Sequence, residues 1–162
     1  MGGPAFSIIL LVMTAAACLP LLSLPAQVGR ERSVVRRVDE LRPLATAMLV
    51  QQQALQAWHR ANPGIYGDVT PSLTLPAPWS AVPGLVSLLG ASGGEVIGVT
   101  YYDSGRYPYR AADIATALSE QTGYSGEVGI TAETGLASAQ GTIVPLPAGV
   151  ATGVAAVAQI FR

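Results

Sequence analysis

Residues Glu95–Tyr102 read EVIGVTYY, and this stretch decides the fold. It is rich in β-branched and aromatic side chains, which suit the pleated, half-buried surface of a sheet. The Asp-Ser-Gly sequence at 103–105 then predicts a turn that closes the strand. We therefore expect a β-sheet that contains this strand.

The C-terminal side of the strand predicts one helix and more strands. Over residues 109–122, Ile114 and Leu118 stand at i and i+4, and Gly123 occupies the place of a helix C-cap. Turn signals rich in Gly and Pro divide the rest of the chain. Three further strands are predicted, at residues 126–131, 141–146 and 150–160.

The N-terminal side predicts an amphipathic helix. Its packing stripe recurs every seven residues and consists of Val34, Leu41, Met48 and Leu55. Pro43 predicts a kink or a break, with a firmer helix over residues 44–61. We expect the stripe to pack on the chain's own sheet; a coiled coil with a partner helix is the alternative, which Gln52 and His59 in the seam disfavour.

The segment between this helix and the strand is dense in Pro and Gly. Residues 63–83 predict a packed loop in which Leu73–Leu75 forms at most a short edge strand. Trp79 is interpreted as an anchor of the loop, with a ligand-stacking ring as the alternative. Gly90–Gly94 predicts a flexible connector, because it precedes a strand and lacks the Lys of a phosphate-binding loop.

The first residues of the chain predict a membrane-targeting segment. Residues 5–26 contain no charged side chain, and the stretch at 6–24 is long enough to cross about 30 Å of hydrocarbon as a helix. Cleavage at Ala26 and lipid attachment at Cys18 are alternatives. We expect residues 1–27 to be a membrane anchor or signal segment, 28–61 an amphipathic helical region and 62–162 an extracytoplasmic domain.

The predicted fold class is therefore α+β. A membrane helix at the N-terminus would continue into the amphipathic helix. A small, mostly antiparallel sheet with one inserted helix would follow.

Composition excludes several classes of function. The formal net charge of −1 gives no basic field for nucleic acid. The chain has no Lys, so the P-loop Lys and Schiff-base mechanisms are excluded. One Cys and one His allow neither a disulfide within the chain nor a conventional zinc site. We expect no cofactor and no metal.

The candidate binding residues are tyrosines and arginines after the central strand. The possible partner-contact surface consists of Tyr101, Tyr107, Tyr109, Arg106 and Arg110. Because side chains alternate along a strand, Tyr101 and Tyr102 are expected on opposite faces, with at least one in the core. His59 lies in the last turn of the predicted helix, where the negative end of the helix dipole favours a His side chain. A role as a catalytic base is the alternative. We predict no catalytic residue.

Short motifs rich in Gly, Pro and aromatic residues resemble one known family. They are AWHRANPG at 57–64, GDV at 67–69, LTLP at 73–76 with Trp79, TYY at 100–102, the run at 111–130 and PLPAG at 145–149. The chain is similar there to the PilM family of type IVB (thin) pilus systems of conjugative plasmids, distinct from the actin-like cytoplasmic protein of the same name. The resemblance implies a pilin-like accessory protein, tethered to the membrane and needed for pilus assembly, with no catalytic residues.

The expected function is a non-catalytic, membrane-anchored accessory role in type IVB pilus biogenesis and conjugation. The alternatives are a minor pilin in the fibre or its tip, and a small periplasmic hydrolase or sugar-binding module. Expected partners are other pilus-assembly or pilin subunits and a membrane through residues 5–26, without nucleic acid. We expect a bacterial inner-membrane location with a periplasmic domain, or else secretion to the periplasm or assembly into the pilus.

Overall fold

The structure is a computed structural model that describes residues 40–103, 109–123, 127–141 and 143–161. Helix α1 covers residues 40–61, and helix α2 covers Ala111–Thr122. The strands are β1 (Gly67–Asp68), β2 (Leu85–Ser92), β3 (Glu95–Tyr102), β4 (Val128–Ala132), β5 (Gly135–Ser138), β6 (Ile143–Val144) and β7 (Ala155–Phe161).

The strands form one seven-stranded sheet in the order β1-β2-β3-β7-β4-β5-β6. All six neighbouring pairs run antiparallel. The predicted strand at 95–102 is confirmed as β3, which pairs with β2 on one side and β7 on the other. The terminal strand therefore returns to the middle of the sheet instead of extending its edge.

Strand β2 corrects the predicted connector at 90–94. Gly90 and Ala91 belong to β2, and only Gly93 and Gly94 form the turn to β3. Both turn glycines have positive φ, 62° and 83°, which is the requirement of a tight two-residue hairpin turn. Gly90 itself lies under Pro147, where a Cβ atom would collide with the proline ring. The glycines therefore mark a close approach and a turn within a hairpin.

One face of the sheet carries both helices. Leu41, Met48 and Leu55 of the predicted stripe are 2 %, 0 % and 0 % exposed. The first two pack in a cluster with residues of α2 and the sheet, and Leu55 packs with Leu89 and Phe161. Val34 lies outside the described residues.

Helix α1 is continuous over residues 40–61, so the predicted break at Pro43 is wrong, while the alternative of a kink stays a prediction. In a helix, the N–H at position 43 donates to the carbonyl of residue 39, and Pro43 has no N–H. Residue 39 lies outside the described residues. The described part of the helix therefore loses no backbone hydrogen bond to this proline.

Polar side chains also join α1 to the sheet. Gln51 Nε2 donates to Ser87 Oγ at 2.9 Å, and Ser87 Oγ lies 3.0 Å from Thr100 Oγ1. Gln52 Nε2 donates to the carbonyl of Gly98 at 3.0 Å. Because these groups are buried, the contacts define how α1 lies across β2 and β3.

The second face of the sheet is covered by the chain that leads into β7. Thr131 Oγ1 donates to the carbonyl of Ala151 at 2.6 Å and accepts from the Val154 backbone N–H at 3.0 Å. Leu146 and Val150 pack on the cluster around Val99. The strands predicted at 141–146 and 150–160 are therefore shorter, because much of the chain between them covers this face.

The predicted membrane helix has to be corrected. Among the residues that the structure describes, no helix has the length and apolar character needed to cross a bilayer. Helix α1 is amphipathic and buries its apolar side against the sheet. The segment at 5–26 lies outside the described residues.

The fold prediction was therefore wrong as stated: the described chain is an α+β fold of two helices and seven antiparallel strands. The predicted location, an inner-membrane protein with a periplasmic domain, depended on that span. Because no described helix can cross a bilayer, the predicted location is corrected together with the membrane helix.

Candidate functional site

The predicted tyrosine and arginine surface is divided by the fold. Tyr101 is 8 % exposed and packs on the second face of the sheet, whereas Tyr109 is 42 % exposed. Arg110 is also exposed. Tyr107 and Arg106 lie outside the described residues, so the surface as predicted is not brought together in the part of the chain that the structure describes.

Tyr101 has a perturbed phenol group. Burial raises the pKa of the Tyr101 phenol above its ordinary value, and the carboxylates of Asp103 and Asp68 raise the pKa further. The phenol is therefore held in its neutral form. This is the chemistry of a packed tyrosine and does not indicate a reactive group.

Tyr102 and Tyr109 instead line a groove beside residues 40–47 of α1. The groove has a volume of about 500 Å³. Its described walls come from α1 and from the loop before β2, and its residues are Glu40, Pro43, Leu44, Ala47, Pro78, Trp79, Ser80, Val82, Pro83, Tyr102 and Tyr109. We call this the Trp79 groove.

The loop wall of the groove is fixed by backbone hydrogen bonds. The Trp79 N–H donates to the carbonyl of Pro76 at 2.9 Å, and the Leu85 N–H donates to the carbonyl of Val82 at 3.2 Å. The Asp103 N–H donates to the carbonyl of Gly84 at 2.8 Å, which joins the end of the loop to the end of β3. The wall is therefore formed before any partner binds.

Trp79 is the residue whose interpretation changes most. Trp79 is 37 % exposed and lines the groove, so part of it is open to a ligand while the rest is covered. The anchor interpretation stays a prediction beside this second role. A second cleft of about 350 Å³, which includes Thr70 and Leu75, is also lined by Trp79. The signal in the sequence was an aromatic residue among prolines at 76–83, a composition typical of binding loops as well as packed ones.

His59 lies away from the groove lining. Its ring stacks on Phe161 with ring centroids 5.3 Å apart, and its Nδ1 atom is buried without a hydrogen-bond partner among the described residues. The described residues contain no group of three or more metal-ligating side chains. We take the groove as the candidate site, because it places the exposed rings of Trp79 and Tyr109 around a cavity.

A comparison with protein-family models identifies the family of this chain. A family model named PilM matches residues 14–157, nearly the whole chain. The chain belongs to the PilM family. The resemblance stated from the sequence motifs is therefore confirmed at the level of the family, while the type IVB plasmid subtype stays a prediction. PilM membership connects the chain with type IV pili and with other pilus-assembly components.

Searches of curated proteins and of solved structures returned no match for this chain.

Proposed function

We propose that the protein is a non-catalytic accessory component of type IVB pilus biogenesis and conjugation, which holds another pilus-assembly component in the Trp79 groove. The PilM match supports the pilus role. The observation that carries the binding role is the pair of exposed rings, Trp79 and Tyr109, on the walls of a preformed cavity.

The lining of the groove favours binding over catalysis. Prolines and aromatic rings supply most of it, and buried aromatic anchors dominate the energy of protein interfaces. Ser80 is the one described lining residue with an aliphatic hydroxyl, and no His stands among the described lining residues to act as its base. A pocket of this kind recognises a partner by shape and apolar contact.

The α1 wall of the groove is held in place by its packing on the sheet. Leu44 and Ala47 in its wall belong to α1, whose buried side packs on the sheet next to Tyr102. A wall that does not need to reorganise loses less free energy on binding. The proposed role therefore uses the rigid part of the fold to present the rings.

The test is genetic complementation in a donor strain that lacks the gene for this chain. We expect the wild-type gene to restore pili and conjugation, and a gene carrying both Trp79→Ala and Tyr109→Ala to restore neither at equal protein level. The matched control is Tyr66→Ala, because Tyr66 is 52 % exposed but does not line the groove. Normal piliation and conjugation in the deletion strain would refute the pilus role.

A further inference from the structure

We infer that the second cleft, which includes Thr70 and Leu75, binds a neutral sugar. One face of a sugar ring would lie on the Trp79 indole, and the ring hydroxyls would bind the polar side chains of the cleft. We call this site the Thr74 cleft, because Thr74 lines it and does not line the Trp79 groove. The inference goes beyond the pilus role and does not depend on it.

None of the described residues that line the Thr74 cleft carries a charge. The polar ones are Gln51, Thr70, Thr74 and Ser80, which supply one amide and three hydroxyls, and the others are apolar or aromatic. A charged ligand would lose hydration in the cleft without gaining a counter-charge. The volume of about 350 Å³ is near the lower end of the range for small-ligand pockets. The lining therefore favours a small, neutral ligand.

Two of the polar groups are held in place by one buried residue, Ser87 of β2. Gln51 Nε2 donates to Ser87 Oγ at 2.9 Å, and the Ser87 backbone N–H donates to Thr70 Oγ1 at 2.7 Å. Gln51 lines the cleft although it is only 4 % exposed. An amide and a hydroxyl each have further capacity to donate and accept, as sugar hydroxyls do. An entirely apolar ligand would cover these groups without pairing them.

Trp79 supplies the aromatic surface of the cleft. It is 37 % exposed, and Leu73 and Leu75 extend the apolar part of the lining. The C–H groups on one face of a pyranose ring form an apolar surface, whereas the hydroxyls project from its rim. Such a ligand matches both parts of the lining, because its face packs on an aromatic ring while its rim forms hydrogen bonds.

The backbone of the loop favours a sugar over a peptide. The Trp79 N–H donates to the carbonyl of Pro76 at 2.9 Å, and the Leu85 N–H donates to the carbonyl of Val82 at 3.2 Å. These donors are committed within the protein, whereas pairing with a peptide main chain needs free backbone groups. Recognition is therefore left to side chains, which suits a ligand whose hydrogen-bonding groups surround a ring.

The experiment is saturation-transfer NMR on the purified full chain, in a detergent without a sugar headgroup. The neutral probes are cellotriose, maltotriose, mannotriose and triacetylchitotriose. Trigalacturonic acid is the charged probe, and a trialanine capped at both ends is the peptide probe. We expect saturable binding of at least one neutral sugar, with the strongest transfer to its ring C–H protons, and weaker binding of the charged and peptide probes.

Variants assign the binding to the cleft. Trp79→Ala is expected to weaken binding of the best neutral probe about tenfold or more. Thr74→Val removes a hydroxyl at nearly constant volume and should weaken binding about twofold to tenfold, which gives an independent test if Trp79→Ala disturbs the loop. Ser72→Ala and Tyr109→Ala are the matched controls, because both residues are exposed and neither lines the cleft. Both controls should leave binding unchanged.

Three results would overturn the inference. They are no binding of any neutral probe, equal or tighter binding of the charged or the peptide probe, and neutral-sugar binding that Trp79→Ala and Thr74→Val both leave unchanged. The proposed pilus function fails separately: normal pili in the deletion strain would refute it whatever the sugars show.

Discussion

Aromatic residues beside the two ends of the described part of helix α1 are used in opposite ways. At the C-terminal end, His59 stacks on Phe161, which is 8 % exposed and packs beside Leu55. Near residue 40, Trp79 and Tyr109 stand around a cavity with more than a third of each side chain exposed. The comparison teaches that the rings near the C-terminal end belong to the core, whereas those near residue 40 are open to the partner that we propose. Helix α1 itself packs on the sheet in both regions.

The largest expected effect is on stability, at the packed end. Leu55→Ala removes a fully buried side chain from the cluster with Leu89 and Phe161, and should lower the free energy of unfolding by about 2–5 kcal/mol. Denaturant unfolding of the purified chain measures this value. A matched truncation on the exposed loop, Ile65→Ala, should change it by no more than about 0.5 kcal/mol. Equal losses for the two variants would contradict the packed assignment.

The next effect concerns the polar contact in the middle of α1. Ser87→Ala leaves the buried Gln51 amide without its acceptor and should cost about 1–3 kcal/mol. Adding Gln51→Leu removes the orphaned donor as well, so the double variant should recover part of that loss. Strict additivity of the two single losses would show that the hydrogen bond does not join the helix to the sheet.

The effect on stability should be smallest for side-chain removal at the groove. Trp79→Ala removes a partly exposed ring and should lower the free energy of unfolding by about 1 kcal/mol, less than Leu55→Ala does. The same denaturant curves that report on Leu55→Ala measure it. A loss of unfolding free energy as large as that of Leu55→Ala would show that Trp79 is a structural anchor. It would contradict the contrast between the buried rings and the rings at the groove.

Tyr101 provides a further test of the buried part of the fold, through the stability of the protein at high pH. The folded state raises the pKa of the Tyr101 phenol, so above about pH 10 the unfolded chain releases this proton first. Stability should then fall as pH rises through that range, and Tyr101→Phe should flatten the fall. Unfolding curves recorded between pH 9 and pH 11 test this, and identical slopes for the two proteins would contradict a buried phenol.

The sequence predicted local elements with strong patterns. β3 was visible in its β-branched and aromatic run, and α2 ends at Thr122 with a left-handed Gly123, as expected. The family was also visible in the motifs. The connector predicted at 90–94 failed because the reason for Gly90 is Pro147, a contact distant in the sequence.

The groove was hidden for the same reason. Trp79, Tyr102 and Glu40 are far apart in the chain, and only the packing of α1 against the sheet brings them to one cavity. The alternation of Tyr101 and Tyr102 did predict that the tyrosines would separate. It could not predict that Tyr102 would line the groove with Tyr109 and Trp79.

The hydrogen bond from Gln51 to Ser87 was equally invisible in the sequence. No local pattern distinguishes an exposed Gln on a helix from one that is buried against a sheet. Gln51 and Ser87 lie 36 positions apart along the chain and become neighbours only in the folded state.

The central claim is our proposal that the exposed rings around the Trp79 groove serve a pilus function, while the buried residues of α1 serve stability. The most direct measurement is pilus production by donor cells that carry Trp79→Ala together with Tyr109→Ala, at wild-type protein level and thermal midpoint. The account predicts loss of pili in this variant and normal pili with Tyr66→Ala. Normal pili in both variants would contradict it.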